Sequence, residues 1–583
     1  MRHFRWCASA LWLVLAACFQ APATIPLTSP GGTPVAQINP AWPLTGLARV
    51  ATGQQAMVVS GSPIASEVGR RILQAGGNAV DAAVGVGFAL AVVHPEAGNL
   101  GGGGFMIFRL ADGTASALDY RETAPAAATH DMFLDRAGDP TALSDVGHLA
   151  SGVPGSVAGM VEAHRKFGRL PLAQVIGPAI ELAGQGFIVD EYRSESIEGY
   201  RAQLYLFPAS RRYFLPDSGG HAPAPGTRLV QQDLSRTLTA IQAHGADGFY
   251  RGWVADSIVA EMKRGGGLIS HADLAGYHPI WREPIRISYR GYSIYSMPPA
   301  SSGGVTLAMI LNTMEGFGKL PPFGSAALLH REAEAMRRAF IDRNTYLGDP
   351  AFVKMPLERL VSKEYAAKQR AAINLAHATP TPPFDPTLRD GGSTTHFSVV
   401  DADGNAVSCT TTLNDSYGSA VAVSGAGFIL NDEMDDFTTA VGKPNGYGLV
   451  QGEANAIQPG KRMLSAMTPS IVLDPAGQLL MVVGTPGGPT IITQVYHVIS
   501  NVIDHQMPLP QAVEAPRMHH QALPDAIRLE RDGFTPATIA TLEALGHKLE
   551  FRGRWGDVEA IIRTATGWQG VSDPRLGGGG SGY

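Results

Sequence analysis

The chain has 583 residues, 45% hydrophobic and only 16% charged, ample apolar mass for a large buried core. Its net charge of −6, with the two signs interspersed, leaves no basic stripe for a phosphate backbone, which excludes nucleic acid as a partner. Two of the three cysteines, Cys7 and Cys18, lie near the N-terminus, so Cys409 alone cannot build a disulfide framework, and no CxxC, HExxH or clustered His/Cys spacing supports a metal site.

Residues 1–17 read as an export signal, with Arg2 and Arg5 ahead of an apolar run at 8–15 that is too short to span a bilayer permanently. Leu15-Ala16-Ala17-Cys18 resembles a bacterial lipoprotein box. On that reading Cys18 is the first mature residue, its lipid anchors the exported protein to the outer membrane in the periplasm, and residues 18–43 are a Pro-rich tether. An ordinary cleavable signal is the alternative.

Helical spacing over 66–93 is split at Gly76-Gly77, which predicts two packed helices, the second apolar all round and therefore buried. It stops near His94-Pro95, because a residue before proline disfavours helix. The glycine run at 101–104 either presents N–H groups to an anion or lets strands pass closely. A hairpin follows, with strands at 105–110 and 117–120, a turn at 111–113, and Arg121 at its end. Helical patterns occupy 155–186, 231–263 and 303–373, the last with Arg337, Arg338 and Arg343 among apolar positions, while the Pro-, Gly- and Arg-rich 208–225 reads as a surface excursion. From 377 to 392 the pattern gives way to a proline-rich stretch of low apolar content, predicted to be a mobile junction. Strands dominate beyond it, at 395–400, 406–413, 425–430, 470–473 and 479–483, with a turn at 403–405.

A threonine hydroxyl is a weak nucleophile without a base, and there is no GxSxG elbow with a Ser/His/Asp set. If a chain is cut before a threonine, the new α-amino group, with an ordinary pKa of about 7.7 to 8.0, stands beside that residue's own hydroxyl and serves as its base. A mobile segment ending in Gly391-Gly392-Ser393 and feeding a strand at Thr394 suits a cut between Ser393 and Thr394. Taken alone, Thr394-Thr395 is equally an expression of β-propensity.

Thr394-Thr395-His396-Phe397-Ser398-Val399-Val400-Asp401, with Thr412-Leu413-Asn414, resembles the nucleophile region of the γ-glutamyltranspeptidases, which belong to the N-terminal nucleophile hydrolases. The likeness continues in Tyr120-Arg121-Glu122, Met297-Pro298-Pro299, Asp432-Glu433-Met434-Asp435-Asp436, Gly484-Thr485-Pro486-Gly487-Gly488 and Asp573-Pro574-Arg575. It implies an α+β fold, a four-layer αββα sandwich built jointly by a large subunit, 44–393, and a small catalytic subunit, 394–583, that pair as a heterodimer after the precursor cuts itself. It implies Thr394 as nucleophile, Thr412 hydrogen-bonded to it, and Gly487 and Gly488 as donors of an oxyanion hole. Arg121 and Ser465 would hold the substrate's α-carboxylate, Asn414, Glu433 and Asp436 its α-ammonium, and Tyr447 would close the site. The implied reaction moves the γ-glutamyl group of glutathione or another γ-glutamyl compound through a Thr394 ester to water, amino acids or peptides, with no metal or organic cofactor.

One departure stands out: Ser465 is followed by Ala466 where the family usually carries a second serine. Glu433 stands where some members have glutamine, and its extra negative charge favours an ammonium, hence glutamyl over glutaryl substrates. The rival readings are a glutaryl or cephalosporin-type acylase on the same scaffold, and an inactive lipoprotein that binds γ-glutamyl compounds.

Overall fold

The computed structural model describes residues 37–381 and 394–583; the expected export signal at 1–17, Cys18 and Ser393 lie outside them. Fourteen strands form two antiparallel seven-stranded sheets. In chain order they are β1 (Arg49–Gly53), β2 (Met57–Ser60), β3 (Gly103–Arg109), β4 (Ala115–Asp119), β5 (Ile280–Arg282), β6 (Ile285–Tyr289), β7 (Tyr292–Ser296), β8 (Thr394–Val400), β9 (Ala406–Thr412), β10 (Ser470–Leu473), β11 (Leu479–Gly484), β12 (Glu559–Thr564), β13 (Gly567–Ser572) and β14 (Gly579–Gly582). The first sheet runs β14-β2-β8-β9-β3-β4-β5 and the second β1-β13-β12-β11-β10-β7-β6.

Side-chain alternation decides what each face covers. In β2, Met57 and Val59 meet the second sheet while Val58 turns to a helical layer; in β10, Ile471 faces the first sheet and Val472 the opposite helical layer. Helices α1 (Pro63–Gln74), α2 (Ala79–Val93) and α3 (Ser156–Phe167) cover the first sheet, and α4 (Gly303–Glu315), α5 (Ala326–Tyr346) and α6 (Thr490–Ile503) the second. The result is the expected αββα sandwich. All fifteen residues of α2 are buried, and Asn78 and Asp81 cap its start reciprocally.

Each sheet takes strands from both sides of residue 394, so the helix-rich first part and strand-rich second part of the sequence share one core. Two expectations are corrected. Residues 425–430 are not a strand: Gly425 and Gly427 hold φ of 81° and 82°, a left-handed backbone that turns the chain, and Val423 N donates to Phe428 O at 2.8 Å. The stretch 208–225 is no simple surface excursion, because it opens with a helix, Pro208–Phe214, whose Phe214 packs with Leu413 and Tyr417. The pattern over 303–373 resolves into α4, α5 and two shorter helices. Among the described residues no helix is long and apolar enough to cross a membrane.

Candidate active site

Thr394 begins β8 and stands directly opposite Thr412, the last residue of β9. Directly opposed residues of an antiparallel pair put their side chains on the same face, and the two hydroxyl oxygens are 3.2 Å apart. Thr412 Oγ1 also accepts the backbone N–H of Asn414 at 2.8 Å. Asn414 has a φ of 84°, a conformation asparagine tolerates better than most residues. Its Nδ2 donates to Asp432 O at 3.2 Å, and its Oδ1 accepts the Tyr447 hydroxyl at 2.8 Å.

The chain leaves β11 through Thr485-Pro486-Gly487-Gly488 before α6 begins. Gly487 and Gly488 hold φ of 130° and 55°, which a side chain would strain. A Cβ on Gly488 would also stand 2.8 Å from Tyr447 Cε1, so the tyrosine ring lies against this turn. No described residue accepts a hydrogen bond from either glycine N–H. Those two donors are therefore uncommitted beside Thr394, which lines the same cavities as Gly487 and Gly488.

On the other flank Arg121, 1% exposed, emerges from the end of β4 and meets three carboxyl groups. Its Nη1 lies 2.5 Å from Glu433 and 3.6 Å from Glu122, and its Nη2 pairs with Asp436. Burial by itself would lower the guanidinium, but Glu433, Asp436 and Glu122 outweigh it and hold Arg121 charged. Burial pushes the Glu122 carboxyl up to about 8 despite Arg121, and raises Glu433 and Asp436 as well. Arg343 also attracts Asp436, yet burial still leaves all three carboxyls raised, so the pocket favours a further cation among them. Only about 20 Å3 remains open among Arg121, Glu433, Asp436, Ser465, Ala466 and Thr394. Ser465 Oγ accepts Met467 N at 3.1 Å.

The structure thus brings Thr394, Thr412, Gly487, Gly488, Arg121, Asn414, Glu433, Asp436, Ser465 and Tyr447 together. Tyr447 is buried over the site rather than an exposed loop aromatic. Two neighbours had no assigned role in the sequence. Glu122 was visible only as part of a motif. Arg343 sits in α5 with its guanidinium on Ser302 Oγ at 2.9 Å, Asn344 Oδ1 at 2.8 Å and Gln451 Oε1 at 3.1 Å. Burial lowers it to about 10, with Asp436 opposing that shift. Its signal was a cation in a helix whose neighbours are apolar, which does not distinguish a site residue from a structural one.

The sequence pattern of the family described as Gamma-glutamyltranspeptidase matches residues 65–583. A glutathione hydrolase proenzyme of Pseudomonas sp. (strain A14) is 48% identical over 529 residues, 90% of each chain. An Acylase ACY 1 proenzyme of Pseudomonas sp. (strain SE83) is 41% identical over 510 residues, 86% of this chain and 88% of its own. Among solved structures, the cephalosporin acylase from Bacillus halodurans superposes with a TM-score of 0.80 at 28% identity, covering 92% of this chain and 97% of its own. By sequence over most of its length and by fold, the chain belongs to the γ-glutamyltranspeptidase family.

Proposed function

We propose that the chain is a γ-glutamyltransferase and glutathione hydrolase that activates itself by cutting between Ser393 and Thr394. Thr394 Oγ1 attacks the γ-carbonyl carbon, the C–N bond breaks, and the amine leaves with the proton that Thr394's α-amino group took from the hydroxyl. Water or an acceptor amine then attacks the ester, the C–Oγ1 bond breaks, and a proton returns to Oγ1. Gly487 and Gly488 N–H groups receive the oxyanion that forms in each half.

The observation that carries the substrate reading is the mixed charge around Arg121. An α-amino acid head brings one carboxylate for Arg121 and one ammonium for Glu433 and Asp436, so each of its charges meets an opposite one in the pocket. A glutaryl head brings no ammonium and would leave the acids facing one another. That favours γ-glutamyl substrates over the acylase reading, which the acylase relatives keep in view. We further assign residues 1–17 to export and Cys18 to lipid attachment in the periplasm.

The test is direct. Purified protein should run as two fragments on a denaturing gel, the smaller beginning Thr-Thr-His-Phe, and Thr394→Ala should stay uncut and inactive. Faster turnover of glutaryl than of γ-glutamyl p-nitroanilide would overturn the substrate reading. Full activity of Thr394→Ala would overturn the nucleophile.

A further inference from the structure

The two N–H groups that receive the oxyanion belong to the peptide bonds before Gly487 and Gly488, and glycine is the residue least able to hold a peptide plane by its own conformational preference. Every peptide bond between Thr485 and Thr490 is trans. In a planar trans peptide the carbonyl of one residue and the N–H of the next point in opposite directions. Whatever grips the Pro486 carbonyl therefore aims Gly487 N–H, and whatever grips the Gly487 carbonyl aims Gly488 N–H.

Both carbonyls are gripped by side chains of α6. Gln494, fully buried, donates through Nε2 to Pro486 O at 3.1 Å and to Thr490 Oγ1 at 2.9 Å. The Thr490 hydroxyl in turn donates to Gly487 O at 2.6 Å, and Thr490 N–H reaches the same oxygen at 3.2 Å. Gln494 Oε1 lies 3.0 Å from Thr485 Oγ1, which accepts Asp557 N–H at 3.1 Å. Because the Pro486 carbonyl only accepts, it fixes which end of the carboxamide faces it. A Cβ on Gly487 would stand 2.6 Å from Thr490 Oγ1 and 2.8 Å from Gln494 Nε2, and one on Gly556 would collide with Gln494 Oε1, so backbone packs on both sides of the amide. Gln494 lines neither of the cavities that Thr394 shares with the two glycines. The Pro486 carbonyl thus points into the protein, and Gly487 N–H points the other way.

We infer that Gln494 and Thr490 are positioning residues for the oxyanion hole: each sets the direction of one N–H by holding the carbonyl at the other end of its peptide plane. The inference rests on the Thr394 nucleophile and the γ-glutamyl transfer proposed above. Both halves of that reaction pass through an oxyanion, so both depend on the two directions. A donor that swings out of line is missed most in the transition state, where the negative charge develops, and kcat falls while donor KM holds.

Thr490→Val and Gln494→Met nearly keep the side-chain volumes and remove these bonds, and Thr490→Ser restores the hydroxyl. Each protein is incubated until a denaturing gel shows the cut complete, and turnover of γ-glutamyl p-nitroanilide is then measured. Outright loss of one oxyanion donor costs about 100- to 1,000-fold in kcat. A donor misaimed rather than removed should cost about ten- to a hundredfold in Thr490→Val and Gln494→Met, with donor KM within about threefold and Thr490→Ser within about threefold of wild type. The second readout is binding of the boronic acid in which boron replaces the γ-carboxyl carbon of glutamate. Thr394 Oγ1 adds to boron, its proton passes to the α-amino group, and the tetrahedral adduct sets an oxygen in the oxyanion hole. Its affinity should fall in step with kcat, while that of glutamate, which forms no adduct, stays within about threefold. Values of kcat within about twofold of wild type in both variants overturn the inference, as does boronic acid affinity that stays put while kcat falls. Two variants that melt normally yet stay uncut also overturn it, because a misaimed donor slows a step without abolishing it. If one variant does not fold, the other decides. No release of p-nitroaniline by the cut wild type would instead sink the γ-glutamyl reading, so the two failures are separable.

Discussion

Replacing Thr412 by valine removes one hydroxyl from the centre of the site and keeps the branched shape. Two losses follow. Thr394 Oγ1 loses the oxygen 3.2 Å away, and Asn414 N–H loses its 2.8 Å acceptor inside a buried pocket. A buried donor left unsatisfied costs about 1–3 kcal/mol. The damage reaches further because Asn414, held at φ 84°, is also the acceptor for the Tyr447 hydroxyl that keeps the ring against Gly488. Thr412→Val should therefore lower both kcat for the γ-glutamyl donor and the rate of self-cleavage by about ten- to a hundredfold. Donor KM should rise too but by less than kcat falls, since among the groups assigned to the donor head only Asn414 is bonded to Thr412, while Glu433 and Asp436 are held by Arg121. Thr412→Ser, which restores the hydroxyl, should recover to within about threefold of wild type. The assays are a timed denaturing gel for self-cleavage, steady-state release of p-nitroaniline, and a melting curve to confirm folding. A Thr412→Val protein within about twofold of wild type in both rates would refute the hydrogen-bonded role.

Ala466 lines the Arg121 pocket beside Ser465. Ala466→Ser adds a hydroxyl there, worth about 0.5–1.5 kcal/mol and more toward a charged carboxylate, so donor KM should fall about two- to tenfold in steady-state kinetics; an unchanged KM means the new oxygen does not reach the substrate. A pH effect on stability comes from Glu332 in α5, which is buried, accepts the Tyr496 hydroxyl at 3.1 Å and is pushed up to about 8 by burial. Its folded pKa exceeds the ordinary carboxyl value of about 4.3, so the stability it contributes is full below that value and is lost as pH rises through 8, at roughly 1.4 kcal/mol per pH unit. Glu332→Gln should accordingly gain in melting temperature relative to wild type from pH 5 to pH 8, and a constant difference across that range would contradict the assignment.

Much of the fold was readable residue by residue. The period of α2 and the hairpin of β8 and β9 follow from local spacing and a short turn, whereas the contact of Thr412 with Thr394 was implied by the resemblance. The motif order along the chain was likewise enough to point to the family, whose pattern spans residues 65–583. At 425–430 local reading failed because of glycines: a run of strand formers is interrupted by two left-handed residues, and alternation cannot show a φ of 81° in advance.

By itself, then, the sequence determined the main helices of the first part, the strands β3, β4 and β8 to β11, the threonine that starts β8 and the residue types available for chemistry, but not α6 or the strands β12 and β13. Only the tertiary structure decided what those residues face. Arg121 and Asp436 are 315 positions apart yet paired, and an acidic segment that would be solvated in isolation is gathered around the Arg121 guanidinium. The cavity that joins His94, Asp557 and Trp555 to Thr394 likewise gathers segments with no neighbouring positions in the chain. Local structure follows from backbone conformation and side-chain periodicity over a few residues, whereas burial, charge pairing and the resulting pKa shifts depend on which strands neighbour one another and how the layers close, and that order is set by packing over the whole chain.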